Sequence, residues 1–153
     1  MNDKIVTISR DFTATTFIVQ DDCTLLLLHR KLAKWFPPGG HIDAHELPHK
    51  AAVREVYEET GFEVSLLSTG MQLGAVWVLP QPVCILLETI APDHEHIDFI
   101  YFARVVGGIL APSARESCLA RWFSWEQLGE PQIAEDIRVL GRQAIEACRM
   151  SLT

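Results

Sequence analysis

The stretch from residue 36 to residue 61 restricts the fold more than any other part of the chain. In FPPGGHID, two prolines and two glycines exclude regular secondary structure and predict a shaped loop. Pro48 then suits the first turn of a helix, and Gly61 stands where a helix C-terminal cap belongs. The sequence therefore predicts a loop followed by a helix over residues 46–60.

Three glutamates gather on one side of this predicted helix. At about 100° per residue, Glu55, Glu58 and Glu59 fall within an arc of roughly 100°. Like charges four residues apart destabilise a helix, and only Arg54 lies at pairing distance from these acids, to Glu58. The opposite face is expected to pack on a sheet and carries Val53, Val56 and Tyr57.

The acidic face has two interpretations. One is a solvated helix surface. The other is a cation site, because a divalent metal between clustered carboxylates removes their repulsion, and Mg²⁺ or Mn²⁺ prefers hard oxygen ligands. The adjoining loop favours the cation site, since glycine lets a backbone approach a ligand closely. The pattern therefore favours a site where a metal meets phosphate oxygens.

The remainder of the chain predicts a mixed sheet covered by helices, of class α/β or α+β. TATTFIV (residues 13–19) and TLLLLHR (residues 24–30) are typical of two strands in a hairpin. Ser124 and Gln127 match a capping box before a short helix, and a last amphipathic helix is expected from Pro131. The later strand-like segments are MQLGAVWVL, VCILLETI, HIDFIYFARVV and LARWF. The last helix is expected to bury Ile133, Ile137, Leu140, Ala144, Ile145 and Cys148.

Composition narrows the class of protein. A length of 153 residues fits a single domain, residues 1–153. The net charge of −7 argues against a surface for polymeric nucleic acid. No apolar run approaches the roughly 18 residues of a membrane span, and the N-terminus lacks a signal-peptide core, so a cytoplasmic protein without membrane partners is expected. The four scattered cysteines are expected to be free thiols.

The spacing within residues 40–62 resembles the Nudix box. That pattern is G-x5-E-x7-R-E-U-x-E-E-x-G-U, where U is a bulky apolar residue, and it is matched at every defining position, with Phe62 at the last U. The resemblance implies a Nudix-type α/β/α sandwich with a central mixed β-sheet. It also implies a pyrophosphohydrolase that cleaves the diphosphate of a small nucleoside-diphosphate derivative, in a family where homodimers are common.

The resemblance also implies roles for residues of the box. Arg54 is expected to orient a catalytic carboxylate, and Glu46 to join the same hydrogen-bonded network. The implied ligands of Mg²⁺, with Mn²⁺ as its substitute, are Glu55, Glu58, Glu59 and the carbonyl of Gly40. The general base differs among family members, so Glu55 and Glu58 are catalytic candidates together with a later acid. Glu116 lies six residues before Trp122, as such an acid does in the family, and is expected to act as base or extra metal ligand. The alternative for Glu116 is an ordinary loop acid.

Further residues are candidates for substrate binding. Arg30 and Lys31 end a predicted strand and are expected either to reach phosphate or to lie in solvent. Trp35 and Phe36 either stack on a base or pack in the core. His41, directly after Gly40, is expected to line the cleft. In HEHIDFIYF, period-2 alternation places His94, His96 and Asp98 on one face of a strand. A polar strand end is the favoured interpretation there, and a substrate-facing role for His96 and Asp98, as in some Nudix proteins, is the alternative.

Two rival functions remain at the level of sequence, besides an isomerase on the same fold, which no sequence feature favours over hydrolysis. One is a Nudix-like domain that binds a nucleotide or metabolite for regulation without turnover. The other is a structural domain with an incidental acidic helix. The complete set of box carboxylates favours the hydrolase over both.

Overall fold

The computed structural model describes residues 7–115 and 117–151, with the backbone alone at Cys118. Ten strands and two α-helices are formed in these ranges. In chain order they are β1 (Ser9–Gln20), β2 (Cys23–His29), β3 (Trp35–Phe36), β4 (Gly39–His41), α1 (Pro48–Thr60), β5 (Phe62–Leu66), β6 (Met71–Leu73), β7 (Val76–Val78), β8 (Cys84–Ala91), β9 (His94–Gly108), β10 (Ser117–Ser124) and α2 (Glu135–Met150). A 3₁₀ turn, Gln127–Gly129, precedes α2.

The central sheet is mixed. Its order is β10-β2-β1-β9-β5, with β3 paired to β2, β4 to β1 and β8 to β9. The two longest strands, β1 and β9, run parallel from Ser9 opposite His94 to Val19 opposite Arg104, and the other pairs in this sheet are antiparallel. Strands β6 and β7 form a separate hairpin. The long parallel pair is the platform from which the other elements project.

The helices cover opposite faces of the sheet, because successive side chains of a strand alternate in direction. On β1, Phe17 and Val19 pack in one cluster with Ile137, Ala144 and Ile145 of α2. Ile18 and Ala14 point the other way, into clusters with Val56, Ala51 and Ala52 of α1. The expected α/β/α sandwich with a central mixed sheet is confirmed.

Several local predictions are confirmed. Pro48 occupies the first turn of α1 and Gly61 is its C-cap. Ser124 and Gln127 bond reciprocally, with the Ser124 N–H donating to Oε1 of Gln127 at 2.9 Å and the Gln127 N–H donating to Oγ of Ser124 at 3.3 Å. Among the cysteines with described side chains, Cys23, Cys84 and Cys148 are free thiols. No helix in the described ranges is both long and apolar enough to cross a membrane.

Four local predictions were wrong. The helix predicted over residues 46–60 begins at Pro48, because Leu47 has an extended backbone (φ −82°, ψ 142°). The segment MQLGAVWVL forms two strands of a hairpin, β6 and β7, instead of one strand. The last helix begins at Glu135 and not at Pro131, because Ala134 has an extended backbone (φ −63°, ψ 152°) and the residues before it form turns after the 3₁₀ segment. Tyr57 is 58% exposed and is not on the packed face of α1. That face is formed by Ala51, Ala52, Val56 and Thr60.

Candidate functional site

Local bonds at the end of α1 fix the direction in which its acids point. Gly61 has φ +78°, and its N–H donates to the carbonyl of Tyr57 at 2.8 Å, which closes the helix with a left-handed cap. The hydroxyl of Thr60 donates to the carbonyl of Val56 at 2.6 Å and accepts the N–H of Phe62 at 3.1 Å. With Val56 and Thr60 held against the sheet, the acidic face turns toward the Pro/Gly loop.

Arg54 is the centre of a hydrogen-bonded network. Its guanidinium forms a fork on Glu46, with Nε donating to Oε1 at 2.8 Å and Nη2 to Oε2 at 2.9 Å. Nη1 donates to Oε1 of Glu55 at 2.9 Å and to Oε2 of Glu58 at 3.3 Å. Nη2 also donates to the carbonyl of His41 at 3.0 Å. One arginine thus joins the helix, the loop and β4.

Charge and hydrogen bonding reinforce each other in this network. The hydrogen bond from Arg54 holds the pKa of Glu46 below its ordinary value, and a bond from the Asp43 N–H at 3.0 Å acts in the same direction. The bond to Glu46 in turn raises the pKa of Arg54, more than burial lowers it. Both groups therefore stay charged at neutral pH, and bidentate arginine–carboxylate pairs of this kind fix geometry as well as energy.

Two consecutive glycines bring the loop against the helix acids. A Cβ on Gly40 would lie 2.5 Å from Oε1 of Glu55, so the carboxylate occupies the space that any other residue would fill. The N–H of Gly39 donates to Oε2 of Glu59 at 2.8 Å. Because β4 is paired with β1, with Gly40 opposite Ala14, this close approach is built into the sheet.

These residues border a cleft of about 800 Å³. It lies over the part of the sheet that α2 leaves uncovered, between β8, β9 and the acidic face of α1. Nine of the residues predicted for the site line it: Arg30, Lys31, Phe36, Gly40, His41, Glu55, Glu59, His96 and Asp98. Carboxylates and cations therefore face one shared space, as binding of a metal and an anion requires.

Residues 10–143 match the family model of the NUDIX domain. This chain belongs to the Nudix family. A NUDIX-family hydrolase from Clostridium perfringens has a solved structure that is 34% identical, with a TM-score of 0.81 over 92% of this chain and 99% of that one. The phosphatase NudJ of Escherichia coli (strain K12) is 31% identical over 114 residues, which are 69% of this chain. The chain spans 65% of the length of NudJ.

More distant structures share the Nudix fold. A UDP-X diphosphatase aligns with 99% of this chain and 66% of its own, with a TM-score of 0.63 and 16% identity. At that identity the likeness concerns the fold alone. The Nudix box residues identified above therefore sit in the architecture that this family shares.

Four predicted residues in the described ranges do not line the Nudix cleft: Trp35, Glu46, Arg54 and Glu58. Trp35 packs edge-on against Phe123, with ring centroids 5.0 Å apart, at the border of the core. Glu46 lies behind Arg54. Glu58 lies on the outer side of the network, with its side chain 56% exposed. The prediction for Glu116 concerns a residue outside the described ranges, while Arg115 and Ser117 both line the cleft.

The Nudix cleft also contains three acids that the sequence analysis did not predict, Asp43, Glu88 and Asp136. Burial raises the pKa of Glu88 to about 7, and the nearby charges of Asp98 and Asp136 act in the same direction. Burial likewise raises the pKa of Asp98, against the effect of hydrogen bonds from Thr13 and Thr15. Alternation along VCILLETI places Glu88 on one face with Leu86 and Ile90, but the sequence does not reveal which face meets a cleft.

A histidine cluster lies at the rim of the same cleft. The ring of His96 is 5.0 Å from that of His41 and 5.1 Å from that of His94, between centroids. Burial, and then the neighbouring imidazoles of His41 and His94, hold the pKa of His96 below its ordinary value. The neutral form of the His96 imidazole is therefore favoured. Asp98 next along this face is 3% exposed and accepts a bond from the Thr13 hydroxyl at 3.0 Å.

Proposed function

We propose that this protein is a metal-dependent pyrophosphohydrolase that cleaves the diphosphate linkage of a small nucleoside-diphosphate derivative by attack of water at phosphorus. The observation that carries the proposal is the contact of Gly39 and Gly40 with Glu59 and Glu55 at the border of a cation-lined cleft. Family membership supports it, because the NUDIX-family relative from C. perfringens is a hydrolase.

The donor set of the box fits Mg²⁺, with Mn²⁺ as a substitute. Carboxylate oxygens of Glu55, Glu58 and Glu59 and the carbonyl of Gly40 are hard ligands of the type that these ions prefer. The absence of a Cβ at Gly40, where one would lie 2.5 Å from Oε1 of Glu55, lets the Glu55 carboxylate lie directly against the loop backbone, so that oxygen ligands of loop and helix are brought together. When bound, such an ion neutralises diphosphate charge and lowers the pKa of a water.

The chain's own residues then have separate tasks. Arg54 holds Glu55 and Glu58 by hydrogen bonds at 2.9 and 3.3 Å, and Glu46 holds Arg54, so the carboxylates are oriented before substrate arrives. A carboxylate accepts the proton of the attacking water. Glu58, whose exposed side chain lies beside Arg54, and Glu116 are the candidates for this role.

Cations of the cleft are suited to the other phosphate oxygens. Arg30, Lys31 and Arg115 line it, and each can donate to a phosphate oxygen. Phe36 lines the same space and offers an aromatic face for a base. The substrate class is therefore a small molecule that carries a diphosphate and a base. Nucleoside triphosphates, nucleotide sugars, ADP-ribose and dinucleoside polyphosphates all satisfy this description.

The test is a panel of these nucleotides with Mg²⁺ or Mn²⁺, scored by released phosphate, pyrophosphate or nucleoside monophosphate. With the best substrate, Glu58→Gln and Glu59→Gln are each expected to lower kcat/KM at least about a hundredfold, since a catalytic metal supplies several kcal/mol. The matched control is Glu146→Gln, an exposed acid of α2 outside the cleft. Full rates in Glu58→Gln and Glu59→Gln, or full activity in chelator, would contradict the metal site. Nucleotide binding without turnover across the panel would favour the regulatory function.

A further inference from the structure

Three side chains of types that bind metals lie close together at a place separate from the Nudix box carboxylates. Asp11 of β1, His41 of β4 and His96 of β9 place one ligand atom each within 4.8 Å of the other two. Oδ2 of Asp11 is 3.3 Å from Nε2 of His41. Tetrahedral zinc, with bonds of about 2.0–2.1 Å, holds neighbouring ligand atoms about 3.3 Å apart. Asp11 and His41 therefore already have the separation of two ligands of a tetrahedral zinc ion.

The sheet holds these three residues in place. Asp11 is directly opposite His96 in the parallel pairing of β1 with β9, and His41 is opposite Thr13 in the antiparallel pairing of β4 with β1. All three positions thus belong to hydrogen-bonded strands, which position ligands more closely than loops do. Asp11 and His41 are exposed, whereas His96 is half-buried, and the three ligand atoms already lie within 4.8 Å of one another.

A fourth side chain lies beside the carboxylate of this cluster. His94 has Nε2 at 3.5 Å from Oδ2 of Asp11, and its Nδ1 is hydrogen-bonded to the hydroxyl of Ser9 at 2.9 Å. A group outside the ligands that holds a carboxylate or imidazole in one orientation is the usual support of a protein metal site. His94, hydrogen-bonded to Ser9, lies where it can give Asp11 that support.

We propose that Asp11, His41 and His96 bind a first-row transition-metal dication, for which Zn²⁺ is the probe, at the rim of the cleft. Imidazole is a preferred ligand of zinc and its neighbours, whereas Mg²⁺ selects oxygen. Two imidazoles and one carboxylate leave a further coordination position open, as catalytic zinc sites do. His41 and His96 both line the cleft, so this protein carries two cation sites of different chemistry along one cavity.

The test uses the full chain without an affinity tag, stripped of metal and then held in excess Mg²⁺ so that the carboxylate site is occupied. Zn²⁺ is titrated by calorimetry, and bound zinc is measured after dialysis. The wild type is expected to bind one equivalent. His41→Asn and His96→Asn are each expected to weaken the affinity at least about tenfold, because each removes a ligand. With Co²⁺ as the probe, the visible absorption bands are expected to lose intensity in the same variants.

Two control variants separate this site from other sources of binding. His45→Asn removes an exposed histidine outside the cluster and is expected to keep full zinc affinity; its positive φ of 67° suits asparagine. Glu59→Gln changes the carboxylate site and is expected to keep the zinc equivalent. No zinc uptake by the wild type in excess Mg²⁺ would overturn the proposal. So would a loss in His45→Asn as large as that in His96→Asn, or a loss of zinc in Glu59→Gln.

Discussion

At the scale of single residues, Gly39 and Gly40 differ in the atoms that a side chain at each position would contact. A Cβ on Gly40 meets the carboxylate end of Glu55, which is a flexible side chain. A Cβ on Gly39 meets Oγ1 of Thr15 at 2.6 Å and also backbone, the carbonyl of Ala14 at 2.7 Å and Cα of Thr15 at 2.8 Å. Glycine at position 39 is therefore required for the pairing of β4 with β1. Glycine at position 40 is required because the Glu55 carboxylate fills the space of a Cβ.

This difference predicts that one alanine substitution lowers activity and the other lowers stability. Gly40→Ala is expected to displace Glu55 and to lower kcat/KM at least about tenfold, with little change in the free energy of unfolding. Gly39→Ala is expected to force β4 away from β1 and to cost about 1–3 kcal/mol of stability, as overpacking does. Urea unfolding and turnover of both variants check this. Equal stability losses in the two would contradict the distinction.

Arg54 gives a second prediction at the residue scale. Lysine cannot form the fork on Glu46 while also contacting Glu55, because its ammonium is a single point of charge. Arg54→Lys is expected to lower kcat at least about tenfold while circular dichroism remains that of the wild type. The matched control is Arg149→Lys, since Arg149 makes one exposed ion pair with Asp22 at 2.8 Å. Unchanged kcat in Arg54→Lys would show that the fork has no part in orienting the carboxylates.

At the scale of elements, the end of α1 can be tested through two glycines with similar backbones. Gly61 has φ +78° and a would-be Cβ 2.5 Å from the carbonyl oxygen of Ile109, whereas Gly74 has φ +58° and nothing within 4 Å. Gly74→Ala is expected to cost only about 1 kcal/mol for the left-handed conformation. Gly61→Ala adds a backbone clash and is expected to cost at least about 2 kcal/mol more. Denaturant unfolding checks the ranking, and equal losses would contradict the clash.

The ends of helices and strands could be predicted from the sequence where a single residue determines the local backbone. Pro48 and Gly61 mark the two ends of α1 because each acts through its own backbone geometry. Tyr57 was misplaced because a helical arc gives relative directions but not where the covering sheet ends. The start of α2 was misplaced because Pro131 suits a turn as well as a helix, and packing of Ile133 after the 3₁₀ segment decides between them.

At the scale of the whole molecule, the cleft could be predicted only in part. The network of Arg54 with Glu46 and Glu55 follows from a spacing within one helix and its loop. Glu88 and Asp136 come from β8 and α2, so their meeting depends on the pairing of distant strands and on how far α2 covers the sheet. No short sequence motif predicts that β8 and α2 bring these two acids together. The cluster of His41 with Asp11 and His96 likewise depends on three strands.

The acids of the cleft predict how stability depends on pH. Because burial raises the pKa of Glu88 to about 7, the folded state holds this proton more tightly than the unfolded chain, whose carboxyl titrates near 4.5. The stabilisation is complete below the unfolded value and is lost as the pH rises through about 7. Asp98 and Asp136 face Glu88 and act in the same direction.

Glu88→Gln removes this titration while keeping a side chain of similar size. At pH 8 the variant is expected to be more stable than the wild type by about 1–2 kcal/mol, a value reduced from the full shift because the group is partly exposed. Near pH 4.5 most of the difference is expected to vanish. Urea unfolding in chelator at both pH values measures it, with Glu146→Gln as the control whose difference from wild type stays constant. The same stability difference for Glu88→Gln at both pH values would mean that Glu88 titrates as it does in the unfolded chain.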